Sequence, residues 1–266
     1  MKPFKLKKLL LIIISLIVVG ISLSAIYIMG DRHIDTFQAI QHKPSLSNYF
    51  SSIKIGIIGD SWVSGKKLDQ AIIDELKSSG IKADVVSIGQ PGAKSKQIFR
   101  NLLSDSSNPY SSNSLLIDDS ISFIVVCAGV NDAAGHIGKD FYAQHMQNIV
   151  LETNSCSKFP IIVELPEFGI EKPADSYTSE LKHDLYRALF DGGKTDIISD
   201  YRNALKAKLD TTKLNYKLVP FDPIVKDYSN SLNQYENPWH LTEKGYNRLG
   251  TYIGKSIITE YQTLKH

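Results

Sequence analysis

The sequence contains few cysteines, and no spacing of cysteine and histidine in it is typical of a zinc site. The two cysteines are Cys127 and Cys156. An exported protein could join them, but Cys127 falls inside the apolar run 121–128, and this favours a buried thiol over a disulfide. We therefore expect neither a metal site nor a disulfide in this chain.

The sequence also carries little net charge, with a formal value of +2. Residues 1–30 contain four lysines and no acidic residue, so the remaining residues carry the difference, −2. A nearly neutral body gives no electrostatic basis for binding nucleic acid. The composition, 42% hydrophobic and 22% charged, suits one globular domain with a small appendage.

The appendage is an apolar segment near the N-terminus. Residues 9–29 contain no charge and no proline, and 21 residues are about what a helix needs to cross a bilayer core of roughly 30 Å. The lysines before this segment predict a cytoplasmic N-terminus, with the rest of the chain outside the cytoplasm. A cleaved signal peptide is the alternative, because residues 22–25 resemble a cleavage site, although the apolar run is long for one. We predict an anchor at 1–30, a polar stalk at 31–52 and one domain at 53–266.

Strand-like and helix-like segments alternate through the predicted domain. Such alternation predicts a mostly parallel sheet with helices on both faces, a three-layer α/β/α fold. The strands lack polar alternation, as expected when both faces of a sheet are covered. Strands are predicted at 53–58, 84–88, 121–128, 159–165 and 217–219, and helices at 68–79, 94–103, 141–152, 180–190, 201–209 and 242–264, with 195–199 ambiguous.

In parallel sheets the reactive groups gather in the loops at the carboxyl ends of the strands. Ser61 follows the first strand in a Gly-Asp-Ser turn, where it is either a nucleophile or a helix cap. Gly92 follows the second strand and either serves a turn or lets its N–H approach a ligand oxygen. Asn131 follows the third strand, where it is either a turn residue or a donor to an oxyanion. Of the seven histidines, His240 stands directly before the last helix, and His136 is its competitor as a base.

Taken together, these segments resemble the motif blocks of the SGNH, or GDSL-type, hydrolases, in the same order along the chain. The resemblance spans roughly residues 53–260 and implies a flavodoxin-like sheet. It also implies that Ser61 is the nucleophile and His240 the base. The backbone N–H groups of Ser61 and Gly92 and the side-chain amide of Asn131 would form the oxyanion hole. The implied activity is ester hydrolysis through an acyl-enzyme, without a cofactor.

One position departs from the family pattern. The final block of the family usually reads Asp-x-x-His, and here Asn237 stands at the aspartate. Asn237 can orient His240 as a neutral partner, as in Cys-His-Asn sites. Alternatively, a backbone carbonyl orients the histidine, or Glu236 or Asp222 supplies a carboxylate, or activity is weakened or lost.

The resemblance leaves the substrate open. A small-molecule or glycan ester is expected, and an anchored, outward-facing hydrolase would act on acetyl or other short acyl esters of cell-surface polysaccharide. Two other functions fit the same motifs: an O-acetyltransferase acting on a surface polysaccharide, and a non-catalytic glycan-binding protein that has kept the fold.

Overall fold

The computed structural model describes residues 3–36, 52–166, 181, 185, 198–221, 232–237 and 239–265. The chain divides into two units, residues 1–35 and residues 36–266. The first unit is helix α1 (Pro3–Asp31). Its segment Lys7–Tyr27 contains an 18-residue stretch with a mean hydropathy of 3.0 and is long enough to cross a bilayer. By length and composition it fits either an anchor or a signal sequence. Most of the predicted stalk lies outside the described residues.

The second unit contains a five-stranded parallel sheet, with the strands in the order β2-β1-β3-β4-β5. This confirms the predicted α/β fold with its parallel sheet. All seven residues of the central strand are buried, which explains why it reads as an unbroken apolar run. The strands are β1 (Ser52–Gly59), β2 (Lys82–Gly89), β3 (Ile121–Cys127), β4 (Phe159–Val163) and β5 (Lys217–Val219).

Helices cover the sheet in two groups that do not share a layer. In one, α3 (Asp69–Ser78) packs against β2 and against the last helix, α9 (Glu243–Lys265). In the other, α7 (Lys139–Ser155) packs against β4, α4 (Ser95–Leu103) and α8 (Ile198–Asp210). The sheet between them completes the predicted three-layer arrangement.

Several short elements were not predicted. They are helices α2 (Ser61–Ser64), α5 (Asn113–Ile117) and α6 (Val130–Ala134), a 3₁₀ turn at Leu232–Gln234, and an antiparallel pair of strands, β6 (Tyr235–Asn237) and β7 (His240–Leu241). Elements of two to five residues are too short to show a hydrophobic period in sequence. The predicted helix at 180–190 lies outside the described residues, apart from residues 181 and 185.

Register brings the ends of three strands to the same edge of the sheet. Gly59, the last residue of β1, pairs with Gly89 at the end of β2 and with Cys127 at the end of β3. The loops that follow these strands therefore start side by side. Cys127 is buried and Cys156 is half-buried, and both are free thiols.

Candidate active site

The Ser61 turn is held by its neighbour Asp60. The Asp60 backbone N–H donates to Cys127 O at 3.3 Å, and its side-chain Oδ1 accepts from the N–H of Trp62 at 3.0 Å. Helix α2 starts at Ser61 immediately afterwards. A Cβ atom on Gly89 would lie 2.3 Å from Ser64 N and 2.7 Å from Asp60 O, so the turn packs against bare backbone of the next strand. The absence of a side chain at Gly89 therefore allows the turn that contains Ser61 to lie this close to β2.

Ser61 and His240 are brought together although 179 residues separate them in sequence. Ser61 Oγ lies 3.0 Å from His240 Nε2, within the range for a hydrogen bond between a hydroxyl and an imidazole nitrogen. His240 is the first residue of the short strand β7, which lies just before α9. At the start of that helix, Thr242 Oγ1 accepts from Gly245 N at 3.2 Å as the cap. His136, the competing base, is instead buried in the turn after α6.

Asn237 is the residue that contacts the other nitrogen of this imidazole. Its Oδ1 lies 3.2 Å from His240 Nδ1, and it also accepts from the backbone N–H groups of Trp239 at 2.9 Å and His240 at 3.0 Å. Backbone N–H groups can only donate, so the atom facing them must be the amide oxygen. That oxygen cannot donate in turn, so Nδ1 carries the hydrogen and Nε2 is left to accept from Ser61.

This geometry discriminates among the ways of orienting His240 that the sequence left open. The side chain of Asn237 is in place as a neutral partner. Glu236, a carboxylate that the sequence offered as a substitute, is exposed, and Asp222 lies outside the described residues. In the structure the side chains of Ser61, His240 and Asn237 form a hydrogen-bonded chain. Their catalytic roles remain predictions.

Gly92 lies in the loop after β2 with φ of +74°, a left-handed conformation that glycine adopts without strain. A Cβ atom there would meet nothing within 4 Å, so the space beside this residue is open. The following N–H, of Ala93, donates to Gln90 O at 3.1 Å and closes the turn. An open, left-handed glycine in the loop after β2 is compatible with the predicted role of its N–H as an oxyanion donor.

Asn131, the predicted second oxyanion donor, bonds to the loops that follow β1 and β2. Its Nδ2 donates to Ala93 O at 3.0 Å and to Asp60 Oδ2 at 3.2 Å. Both amide hydrogens are therefore engaged within the protein. To donate to an oxyanion, Asn131 would have to give up one of these bonds, of which the one to Asp60 is the longer.

Two carboxylates near this site are buried. Asp60 is 1% exposed, and loss of solvation raises its pKa to about 7. Asp132 is 0% exposed, and loss of solvation raises its pKa to about 6, against the opposing effect of its bonds from Ser95. Asp132 accepts from Ser95 N at 2.8 Å and from Ser95 Oγ at 2.6 Å. It thereby ties the start of α4 to α6, the short helix that also contains Asn131.

Two tryptophans were missed by sequence reasoning. The indole N–H of Trp62, the residue after the predicted nucleophile, donates to the backbone carbonyl of Trp239 at 2.8 Å. Trp239 directly precedes His240. The only sequence signal was that each tryptophan adjoins a predicted catalytic residue, and the chain contains two tryptophans in all. Among the residues that the structure describes, no group of three or more His, Cys, Asp or Glu side chains is arranged to hold a metal ion.

No protein-family model matches the chain, and no curated protein sequence matches it. Solved structures do match. A lipolytic protein of the G-D-S-L family from Desulfitobacterium hafniense is 15% identical with a TM-score of 0.52, and the match covers 76% of this chain and 98% of that one. Est24, a carbohydrate acetylesterase from Sinorhizobium meliloti, is 14% identical with a TM-score of 0.51, covering 78% and 99%. A family 3 carbohydrate esterase from Clostridium thermocellum is 18% identical with a TM-score of 0.51, covering 80% and 99%.

At these identities the likeness concerns the fold. The chain has the fold of the SGNH, or GDSL-type, hydrolases, as its sequence motifs predicted. The match takes in nearly the whole length of each of these three structures.

Proposed function

We propose that the chain is a serine ester hydrolase in which Ser61 is the nucleophile and His240 the general base. The observation that carries this proposal is the distance of 3.0 Å between Ser61 Oγ and His240 Nε2. A nucleophile within hydrogen-bond reach of a base, with the base oriented by a third group, is the arrangement that activates serine hydroxyls. Asn237 Oδ1, at 3.2 Å from His240 Nδ1, is that third group.

In the acylation step Ser61 Oγ attacks the ester carbonyl carbon while its proton passes to His240 Nε2. The carbonyl oxygen becomes an oxyanion, which the N–H groups of Ser61 and Gly92 and the amide of Asn131 stabilise. Collapse of this intermediate breaks the ester C–O bond, and the alcohol leaves with the proton returned by His240. In the second step water attacks the acyl-enzyme while His240 accepts its proton. The bond between the acyl carbon and Ser61 Oγ then breaks, His240 returns the proton to Ser61 Oγ, and the carboxylic acid is released.

For the substrate class we infer acetyl or other short acyl esters on glycans. Two of the structural neighbours, by their own descriptions, are a carbohydrate acetylesterase and a carbohydrate esterase, which supports a sugar ester. The near-neutral charge of residues 31–266 offers no attraction for a strongly charged polymer such as nucleic acid.

We also infer that α1 anchors the protein in the membrane, with the hydrolase domain outside the cytoplasm. The apolar segment Lys7–Tyr27 and the lysines at its N-terminal side support this orientation. Fusion of alkaline phosphatase to the C-terminus in a bacterial host gives active phosphatase only if that end is exported. A full-length mass in the membrane fraction distinguishes an anchor from a cleaved signal peptide.

The most direct test of the function is labelling of the full-length, detergent-solubilised chain with a fluorophosphonate probe, which reacts with activated serines. We expect wild type to be labelled, and both Ser61→Ala and His240→Gln to be unlabelled. Ser64→Ala is the matched control, because Ser64 lies in the same short helix and contacts Ser61 O rather than the imidazole. Absence of labelling in wild type would contradict the catalytic proposal and favour a non-catalytic glycan-binding protein.

The substrate is tested with p-nitrophenyl acetate and with acetylated polysaccharides. Release of free acetate by wild type, but not by Ser61→Ala, is the expected result. Acetyl that appears on an added sugar acceptor instead of in solution would identify an O-acetyltransferase. Hydrolysis of p-nitrophenyl acetate without release from any glycan would contradict the glycan assignment while leaving the esterase mechanism in place.

A further inference from the structure

Trp62 is a buried residue whose side chain joins α2, the helix that begins at Ser61, to the backbone directly before His240. Its side chain is 3% exposed, and its ring packs against Phe221 at 5.8 Å and edge-on against Tyr246 at 5.7 Å between ring centroids. These contacts aim the indole N–H at Trp239 O, 2.8 Å away and 177 residues distant in sequence. The indole N–H is a donor only, and this carbonyl is its partner.

That carbonyl belongs to the peptide unit directly before His240. The same unit carries the His240 N–H, which donates to Asn237 Oδ1 at 3.0 Å. A peptide unit is a rigid plane, so bonds at its carbonyl and its N–H together fix its orientation. The position of the His240 Cα atom, and with it the root of the imidazole side chain, is therefore set from two directions.

The two bonds come from different parts of the site. Asn237 is the last residue of β6 and lies three residues before His240, whereas Trp62 belongs to α2, the helix of four residues that starts with Ser61. The serine and the donor that holds the histidine backbone are thus neighbours on one short element. A displacement of α2 would carry the nucleophile and its link to the base together.

The hydrogen bond from Trp62 is more important because Asn237, the side-chain partner of His240, is neutral. Hydrogen bonds to a charged group are roughly twice as strong as those between neutral groups. An aspartate at position 237 would hold the imidazole by such a bond, and the amide of Asn237 holds it by a neutral one. The orientation of His240 must therefore depend more on its backbone than it would with a carboxylate.

We propose that Trp62 is a positioning residue: its indole N–H fixes the Trp239–His240 peptide so that His240 Nε2 stays in hydrogen-bonding position for Ser61 Oγ. This inference rests on the proposed function, in which that pair performs the chemistry. The sequence motifs do not contain this requirement, because Trp62 is not among the residues that they predicted to be catalytic.

The principal variant is Trp62→Phe, which keeps an aromatic ring between Phe221 and Tyr246 but removes the N–H. We expect kcat for p-nitrophenyl acetate to fall roughly 10- to 100-fold with KM little changed, since small displacements of catalytic groups cost rates of that order. Phe123→Leu, which alters a buried ring that packs edge-on against Phe159 in the sheet, is the control for general loss of packing. It should lower the melting temperature without a comparable loss in kcat.

A second comparison separates positioning from packing. In an Asn237→Asp background the charged partner holds the imidazole more firmly, so Trp62→Phe should cost markedly less in kcat than it does beside Asn237. A purely structural role predicts the same loss in both backgrounds. Equal losses, or a Trp62→Phe variant within about twofold of wild type, which is far below the cost expected of a displaced base, would overturn the proposal.

A readout that needs no activity keeps this test distinct from that of the esterase function. In ¹⁵N-histidine NMR spectra of the full-length chain at alkaline pH, His240, assigned by its loss in His240→Gln, should be the tautomer protonated at Nδ1. In Trp62→Phe we expect a mixture of tautomers. A shifted tautomer ratio in a chain without esterase activity would support the link and refute the proposed function. An active wild type whose ratio is unchanged in Trp62→Phe would refute the link alone.

Discussion

The amide oxygen of Asn237 accepts from Nδ1 of His240 at 3.2 Å, at the position where the resembling family has an aspartate. Two backbone N–H groups donate to the same side-chain atom, so this atom must be the amide oxygen. Because that oxygen can only accept, the imidazole carries its hydrogen on Nδ1. In a chymotrypsin-type triad, exchanging aspartate for asparagine costs about 10⁴ in rate, through the wrong tautomer. That penalty does not apply here, since the loop presents the amide oxygen to Nδ1.

The first prediction concerns Asn237→Asp. The carboxylate would keep the three hydrogen bonds and add charge beside the imidazolium that forms during catalysis. A charged hydrogen bond exceeds a neutral one by about 1 kcal/mol, so we expect kcat to rise roughly 5- to 10-fold. Steady-state kinetics with p-nitrophenyl acetate measure this. Asn237→Leu, similar in size but unable to accept, should instead lose at least about 100-fold. An Asn237→Asp variant slower than wild type would show that another group orients His240.

The second prediction concerns Asn131, whose two amide hydrogens are bonded to Ala93 O and Asp60 Oδ2. If Asn131 turns one of them to the oxyanion, Asn131→Ala should reduce kcat by about 10²–10³-fold with little change in KM. The comparison variant is Ser95→Ala, which removes a hydroxyl bonded to Asp132 in the adjoining structure but no oxyanion donor. If the two variants lose similar amounts of kcat, Asn131 holds the loops in place and is not a donor to the transition state.

The third prediction separates two glycines of the same loop region. Gly92 has open space beside it, so Gly92→Ala should fold almost as well as wild type, with a cost of about 1 kcal/mol for its left-handed backbone. Movement of its N–H should nevertheless lower kcat. At Gly89 an added Cβ would meet Ser64 N at 2.3 Å, so Gly89→Ala should lose about 1–3 kcal/mol or more of stability. Thermal unfolding and kcat, measured on both variants, check the contrast. A Gly89→Ala variant as stable as wild type would contradict the packing argument.

Much of the fold could be predicted from sequence because the signals were long and physically simple. The apolar run 121–128 corresponds to β3, in which all seven residues are buried. Parallel strands end at the same edge of a sheet, so the predicted site residues at three strand ends could be expected to lie close together. The edge strand β2 was predicted too short, at 84–88, because its first residues are partly exposed and have little apolar signal.

The parts of the site that could not be predicted depend on single contacts without a sequence pattern. A bond from the indole of Trp62 to a backbone carbonyl 177 residues away leaves no periodicity or motif to read. The sequence offered several groups that could orient His240. The structure favours Asn237 because its Oδ1 contacts His240 Nδ1, whereas Glu236 is exposed. The engagement of both amide hydrogens of Asn131 likewise depends on where Ala93 O and Asp60 lie in space.

The last prediction concerns Asp132 and the pH dependence of stability. Burial raises its pKa from an ordinary value of 3.8 to about 6 in the folded chain. Between those values the folded state keeps a proton that the unfolded state has released. The free energy of unfolding should therefore fall as pH rises from about 4 to about 6, and this contribution should be level above that range. A shift of about two pKa units corresponds to a change on the order of 3 kcal/mol.

Asp132→Asn removes the titrating group while Ser95 can still bond to the side chain, because a hydroxyl can either donate or accept. Asp60, whose raised pKa of about 7 acts in the same direction, is present in both proteins, so its desolvation cancels in the difference between them. The charge of Asp132 contributes to raising the pKa of Asp60, and the difference includes the loss of that contribution. Chemical denaturation of the two proteins at several pH values measures that difference. The variant should gain stability relative to wild type as pH rises to about 6, and then hold a constant advantage. A difference that does not change with pH would mean that Asp132 is ionised in the folded chain throughout this range.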